Sequence, residues 1–137
     1  MSELKIIYVS AAVLMRPDQT LLVAKRPEGK SMAGLWEFPG GKLEPDETPE
    51  AALVRELREE LDVMASVDDL APLAFASHSY PEFHLLMPLF ALRKWQGTPR
   101  PVDVAEIRFV TPSELVEYAM PAADAPLVRQ IQTAING

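Results

Sequence analysis

Three glutamates, Glu56, Glu59 and Glu60, follow one another at spacings of three and one near the middle of the chain. In a helix, side chains at this spacing share one face. Three carboxylates that converge there without a compensating lysine repel one another unless a divalent cation lies between them. Hard oxygen ligands favour Mg²⁺ or Mn²⁺ over Zn²⁺. The spacing therefore predicts a site for Mg²⁺ or Mn²⁺ on one face of a helix.

The helix that carries these glutamates has clear signals at both ends. Thr48 is predicted to be its N-cap and Pro49 its first residue, and the helical pattern runs to about Leu61. An apolar stripe lies beside the acidic face and consists of Leu53, Val54, Leu57 and Leu61. The helix can therefore pack on a sheet and still present the glutamates to a cleft.

The remaining segments predict a mixed α/β (α+β) fold in which strands and helices interleave. Apolar segments 5–14 and 20–25 flank a turn at 16–19, which predicts a β-hairpin. Further strands are predicted at 35–38, 71–79, 84–95 and 106–110. A short helix is predicted after Thr111, with Glu114 in its capping box, and a last helix is predicted at 125–135. We therefore expect one mixed sheet with helices on both faces, in a single domain over residues 1–137.

Composition restricts the class of protein. The chain has 137 residues, no cysteine and a net charge of −7. A chain without disulfides fits a reducing cytoplasm, and no apolar run is long enough to predict a membrane span. The acidic balance argues against binding of polymeric nucleic acid, which needs a basic surface, but not against a single nucleotide bound through metal ions. The only two histidines, His78 and His84, are predicted to be structural and not zinc ligands.

Residues 41–63 resemble the motif of the Nudix hydrolase family. Eight of its nine fixed positions are matched here, by Gly41, Glu47, Arg55, Glu56, Leu57, Glu59, Glu60 and Val63. The departure is Asp62, where the family usually has a glycine that ends the helix. Because aspartate tolerates the left-handed backbone conformation, we expect a small stability cost and retained activity.

The segment from Phe38 to Lys42 and the overall length are similar to the MutT-like branch of that family. This branch includes 8-oxo-dGTP diphosphatases and CTP pyrophosphohydrolases. The resemblance implies an α/β/α sandwich built on a mixed sheet. It also implies hydrolysis of a nucleoside triphosphate to the monophosphate and pyrophosphate, by attack of water at the β-phosphorus, with Mg²⁺ or Mn²⁺ as cofactor.

The resemblance also implies roles for particular residues. Glu56, Glu59 and Glu60 would be the metal ligands, together with the Gly40 carbonyl oxygen. Glu47 and Arg55 would form a pair that braces the loop against the helix and takes no part in the chemistry. The general base would be a carboxylate on a later loop: Asp103 is the first choice and Glu106 the second, and Glu59 or Glu60 is a further alternative.

The residues that would bind the nucleotide are implied in the same way. Arg26 corresponds to an arginine that contacts the phosphate or sugar side of the substrate. Asp124 corresponds to a polar residue that reads the base, and it would favour a base edge rich in N–H donors. The predicted walls of the base pocket are Ile7, Val9, Phe38, Tyr80 and Phe83.

The substrate is left open at this stage. The leading expectation is a (deoxy)nucleoside triphosphate, including oxidised forms such as 8-oxo-dGTP. Alternatives are CTP or 5-modified dCTP, and a dinucleoside polyphosphate or ADP-ribose. A module of a different class, which senses nucleotides without catalysis, is disfavoured by the complete set of three glutamates. The oligomeric state, monomer or homodimer, is also left open.

Overall fold

The computed structural model describes residues 3–136. Its strands are β1 (Ile6–Leu14), β2 (Leu21–Lys25), β3 (Trp36–Glu37), β4 (Gly40–Lys42), β5 (Leu70–Ser79), β6 (His84–Leu92) and β7 (Glu106–Val110). The helices are α1 (Pro49–Leu61) and α2 (Ala125–Asn136), and short 3-10 helices lie at Val67–Asp69 and Pro112–Glu117. None of the helices in this range is long and apolar enough to cross a membrane.

The strands form two sheets. A four-stranded mixed sheet has the order β4-β1-β6-β5, in which β1 and β6 are parallel and the other pairs are antiparallel. A three-stranded antiparallel sheet has the order β3-β2-β7. The predicted mixed sheet is therefore confirmed, and the remaining three strands form a second, antiparallel sheet.

The two helices cover opposite faces of these sheets, as predicted. Because side chains alternate along a strand, Ala11 and Val13 of β1 face one side while Ala12 and Leu14 face the other. The first pair packs in a core that also contains Leu127 and Ile131 of α2. The second pair packs in a core formed with Leu53, Leu57 and Leu61 of α1. This arrangement is an α/β/α sandwich.

The predicted hairpin of the first two strands is only partly correct. The turn forms, with the Arg16 N–H donating to the Thr20 carbonyl at 2.9 Å and one antiparallel bridge between Met15 and Leu21. Beyond that bridge the strands separate, because β1 pairs with β4 and β6 whereas β2 pairs with β3 and β7. A strand that is apolar on both faces needs two covered faces and two neighbours, and local sequence does not tell which neighbours these are.

The ends of α1 follow the sequence signals. The Thr48 side chain accepts a hydrogen bond from the Ala51 N–H at 3.1 Å, and Pro49 occupies the first helical position. Asp62 ends the helix in the left-handed conformation (φ 58°, ψ 38°), as the departure from the family motif predicts. The capping box of Thr111 and Glu114 is also confirmed. The sixth strand ends at Leu92, short of the predicted residue 95.

Candidate functional site

Arg55 organises the loop that precedes α1. Its guanidinium donates to both carboxylate oxygens of Glu47, each at 2.8 Å, and to the Lys42 carbonyl at 3.1 Å. Hydrogen bonds from Arg55 and from the Glu44 N–H lower the pKa of Glu47 to about 2. The bracing role predicted for Glu47 and Arg55 agrees with this geometry, since their contacts join residues 42–47 to the helix.

Glu56 and Glu60, which are both partly buried, form the less exposed part of the acidic face. Arg55 donates to Glu56 at 2.8 Å. Burial raises the pKa of Glu60 to about 9, and the hydrogen bond and charge of Glu56 and the charge of Glu37 add to the shift, which a hydrogen bond to the Gly40 backbone opposes. Glu60 therefore lies beside Glu56 and the Gly40 backbone, and within range of the charge of Glu37.

The two glycines at β4 make this approach of α1 possible. A Cβ atom on Gly41 would overlap the carboxyl group of Glu56, and a Cβ on Gly40 would overlap the backbone of Ser10 and Ala11. A side chain at Gly41 would displace the Glu56 carboxyl group, and a side chain at Gly40 would push the neighbouring strand β1 away. The Gly-Gly pair is therefore required for close packing at the acidic cluster.

Glu59 lies apart from the buried pair. Its side chain is 57% exposed, and its closest ionic contact is with Arg55 at 3.4 Å. It borders a separate surface groove beside Arg58 and Asp62. Among residues 3–136, no group of three or more histidine, aspartate or glutamate side chains is arranged closely enough to hold a metal ion.

The residues at the buried pair nonetheless fit a hard divalent cation. Glu56 and Glu60 supply carboxylate oxygens, and the Gly40 backbone lies against Glu60. Carboxylate oxygens are among the ligands that Mg²⁺ and Mn²⁺ prefer. A carboxyl group that is largely removed from water and lies beside a second one, as Glu60 does, favours a bound proton or a nearby cation.

A cleft of about 310 Å³ reaches Gly40 and Gly41, whereas Glu56, Glu59 and Glu60 are not part of its lining. The lining includes all of the predicted walls and nucleotide-binding residues, together with Gly40, namely Ile7, Val9, Arg26, Phe38, Gly40, Tyr80, Phe83 and Asp124. These residues come from β1, the loop after β2, the link between β3 and β4, β4 itself, the β5–β6 turn and the residue before α2. The fold therefore brings together positions that are up to 117 residues apart in sequence, from Ile7 to Asp124.

Arg26 lines the cleft, but its donors are directed at the protein. One terminal nitrogen donates to both oxygens of Glu37, at 3.0 and 3.2 Å. The other two nitrogens donate to the Ser31 carbonyl at 2.7 Å and to its hydroxyl at 3.3 Å. Arg26 thus fastens the 26–34 loop to β3 and forms a side wall of the cleft.

Asp124 lies at the inner end of the cleft and is 6% exposed. Burial raises its pKa to about 7, and the charge of Glu37 adds to the shift, whereas the Phe38 backbone and Arg26 oppose it. Next to it, the Ala123 N–H donates to the Tyr80 hydroxyl at 3.1 Å, which fixes the entry to α2. The Tyr80 ring packs against Phe83 at 5.1 Å between centroids.

The candidate bases lie at the surface. Asp103 is 63% exposed on its side chain and pairs with Lys30 at 3.7 Å. Its backbone N–H donates to the Glu60 carbonyl at 3.1 Å, so its loop is attached to the end of α1. Glu106 pairs with Arg108 at 2.7 Å. Neither carboxylate is among the residues that line the cleft.

Two residues of the site were not predicted from the sequence. Glu37 contacts Arg26 and influences both Glu60 and Asp124. A signal existed, because Glu37 is a charged residue between the buried aromatics Trp36 and Phe38. The other is Ser10, a fully buried polar residue opposite Gly41. Its signal was a serine within the otherwise apolar segment 9–14 of a central strand.

Comparison with known proteins agrees with the geometry. Residues 10–130 match the family model described as NUDIX domain. The chain is 39% identical over 127 residues to the CTP pyrophosphohydrolase of Escherichia coli (strain K12), covering 91% of this chain and 90% of that protein. It is 38% identical over 97 residues to the 8-oxo-dGTP diphosphatase of Proteus vulgaris, covering 71% and 85% respectively. The solution structure of the E. coli ORF135 protein superposes with a TM-score of 0.83 at 34% identity, covering 95% of this chain and 91% of that chain. The chain therefore belongs to the Nudix family.

Proposed function

We propose that this protein, as a single Nudix domain, is a Mg²⁺- or Mn²⁺-dependent pyrophosphohydrolase of the MutT-like type, which converts a (deoxy)nucleoside triphosphate into the monophosphate and pyrophosphate. The proposal rests on the partly buried Glu56–Glu60 pair, which adjoins Gly40 and Gly41, and on the cleft that these two glycines line. Relatives whose names describe hydrolysis of CTP and of 8-oxo-dGTP support the same reaction class.

In this proposal the acidic face of α1 holds the cofactor. Glu56, Glu59 and Glu60 and the Gly40 carbonyl would be the ligands, and Glu59 would have to turn inward from its contact with Arg55. The bound cation would offset the charge of the triphosphate and stabilise the leaving pyrophosphate. Glu47 and Arg55 would keep the loop and the helix in register, and the two hydrogen bonds between them support this role.

The remaining roles concern the substrate and the attacking water. Phe38 and Tyr80 would form the walls of the base pocket, and Asp124 would read the base edge. Arg26 would line the phosphate or sugar side. Asp103 would take the proton from water, with Glu106 or a glutamate of α1 as the alternative.

The base preference has two candidates within this proposal. An ionised Asp124 accepts hydrogen bonds only, which favours a base edge with N–H donors such as the amino group of cytosine. A protonated Asp124 also donates one, and its raised pKa makes both forms accessible near neutral pH. Oxidised guanine, which offers donors and acceptors, therefore stays the leading candidate, and CTP or 5-modified dCTP is the alternative. A dinucleoside polyphosphate or ADP-ribose is a further alternative.

The proposal is tested by pyrophosphate release with Mg²⁺ and a panel of 8-oxo-dGTP, dGTP, CTP and 5-methyl-dCTP. We expect rapid release from at least one member of the panel. Glu59→Gln or Glu60→Gln should lower turnover at least ~100-fold in a folded protein, because the loss of charge stabilisation costs several kcal/mol. Glu50→Gln, in the first turn of the same helix, is the matched control and should keep the wild-type rate.

Each outcome separates the alternatives. A rate of pyrophosphate release far higher from 8-oxo-dGTP than from dGTP would support removal of oxidised nucleotides. A preference for CTP would support a pyrimidine nucleotide as the substrate. Nucleotide binding without turnover across the panel, including dinucleoside polyphosphates and ADP-ribose, would instead support a sensor without catalysis. Equal rates for the wild type and both glutamine variants would remove these glutamates from the mechanism.

A further inference from the structure

Ser10 carries an unpaired polar group in the core of the protein. The residue is 0% exposed, and within residues 3–136 its Oγ is the one buried side-chain nitrogen or oxygen atom without a hydrogen-bond partner. Removing a hydroxyl from water without a compensating hydrogen bond costs free energy. Its neighbours Ala11 and Ala12 are equally buried, so alanine suits the packing of this strand. The hydroxyl therefore calls for an explanation other than packing.

The strand register places this hydroxyl beside the acidic cluster. Ser10 lies on the same face of β1 as Ala12 and Leu14, which pack in the core that α1 covers. Its partner across the antiparallel pair with β4 is Gly41. Directly opposed residues carry their side chains on the same face, with Cβ atoms about 5 Å apart.

Glu56 fills the space above Gly41. A Cβ atom on Gly41 would overlap the Glu56 carboxyl group, so that group lies over the Ser10–Gly41 pair. In the structure, an oxygen of Glu56 accepts a hydrogen bond from Arg55 at 2.8 Å, and Glu56 lies beside Glu60. Ser10 takes no part in these bonds, although its hydroxyl can rotate between three staggered positions.

From this placement we infer that Ser10 is a positioning residue for Glu56, whose carboxylate accepts the Ser10 hydroxyl when Glu56 binds the divalent cation. The inference rests on the metal site of the proposed function. Carboxylates that bind metal ions are usually held in turn by a hydrogen bond from the protein, which fixes their orientation. The cost of the unpaired hydroxyl in the metal-free protein is then recovered in the metal-bound protein.

The test measures Mn²⁺ binding by isothermal titration calorimetry, without nucleotide, together with thermal unfolding of the metal-free protein. In Ser10→Ala, we expect the dissociation constant for Mn²⁺ to rise by about tenfold. The metal-free unfolding temperature should stay equal to that of the wild type or rise, since an unpaired buried hydroxyl is removed. Ser10→Thr keeps a hydroxyl and should bind Mn²⁺ close to the wild-type affinity.

Ser79→Ala is the matched control, because it removes a serine hydroxyl from β5 that is bonded to His84 and is remote from β4 in the sheet order. It should leave Mn²⁺ binding unchanged. An unchanged Mn²⁺ affinity in Ser10→Ala, or a clear fall in its metal-free unfolding temperature, would overturn the role of Ser10 alone. Failure of the wild-type protein to bind Mn²⁺ would instead overturn the proposed metal site.

Discussion

Arg55 holds Glu47 by two parallel hydrogen bonds of 2.8 Å, and both side chains are mostly covered, at 23% and 18% exposure. This geometry is the planar, two-point contact that guanidinium and carboxylate groups form best. It connects the loop before α1 to the helix at the level of the acidic cluster. The pair therefore sets where the loop and Glu56 lie relative to each other.

The first prediction concerns the acid dependence of this pair. The pKa of Glu47 is lowered from 4.5 to about 2 in the folded protein, so the folded state binds this proton less readily than the unfolded state. Its contribution to stability is complete above pH 4.5 and is lost as the pH falls towards 2. Glu47→Gln should therefore unfold at a lower temperature than the wild type at pH 7, and the difference should shrink below pH 4.5.

Thermal unfolding followed by circular dichroism between pH 2 and 7 measures this effect. Glu44→Gln is the control, because Glu44 is 64% exposed and lies 3.8 Å from Arg55 without a two-point contact. Its unfolding temperature should match that of the wild type at pH 7. A difference for Glu47→Gln that stays constant down to pH 2.5 would contradict the assignment.

The second prediction concerns the Arg26–Glu37 pair in the wall of the cleft. Glu37→Ala removes both acceptor oxygens from a guanidinium that is only 25% exposed, and should lower the free energy of unfolding by about 1–3 kcal/mol. Glu106→Ala breaks a pair whose side chains are 52% and 43% exposed, and should change the free energy of unfolding by less than about 1 kcal/mol. Urea unfolding of both variants gives the comparison, and equal losses would mean that the cleft wall does not depend on this contact.

The third prediction concerns Asp124. Its pKa is raised from 3.8 to about 7 in the folded protein, so the folded state holds the proton more tightly than the unfolded state. The contribution of Asp124 to stability should therefore fall by on the order of 4 kcal/mol as the pH rises from about 4 to 7. Asp124→Asn has no such proton, so its stability in urea unfolding should decline less over this range, with the decline from Glu37 and Glu60 remaining, whereas the surface variant Asp68→Asn should keep the full decline. Parallel profiles for the wild type and Asp124→Asn would argue against a protonated Asp124.

The fourth prediction separates the candidate general bases. If Asp103 takes the proton from water, Asp103→Asn should lower kcat at least ~100-fold with little change in KM. Lys30→Ala removes its ion-pair partner and should leave kcat within a few-fold. Steady-state pyrophosphate release measures both. A normal kcat in Asp103→Asn together with a large loss in Glu106→Gln would assign the role of general base to Glu106. A normal kcat in both variants would assign it to a glutamate of α1.

The local elements were predictable because their signals lie within a few residues of one another. The cap at Thr48, the proline after it and the spacing of the apolar residues define α1, and the structure agrees at both ends. The left-handed Asp62 followed from the same motif. Cap and period patterns report short-range hydrogen bonds and burial, which depend little on the rest of the fold.

The pairing of the strands was harder to predict from the sequence. The turn after β1 predicted a hairpin, yet β1 and β2 belong to different sheets beyond Met15. Likewise, an arginine such as Arg26 can be assigned to a cleft from a motif, but its contact with Glu37 depends on how the 26–34 loop folds over β3. Long-range contacts of this kind carry no local sequence period.

By itself, the sequence determined the acidic face of α1, its caps and the family to which the chain belongs, since these depend on residue types at fixed spacings. Only the tertiary structure decided that Glu56 and Glu60 are buried together while Glu59 faces outward, and that Ser10 and Glu37 adjoin them. The reason is physical, because burial and electrostatic environment arise from elements that are distant in sequence and meet only when the sheets and helices pack.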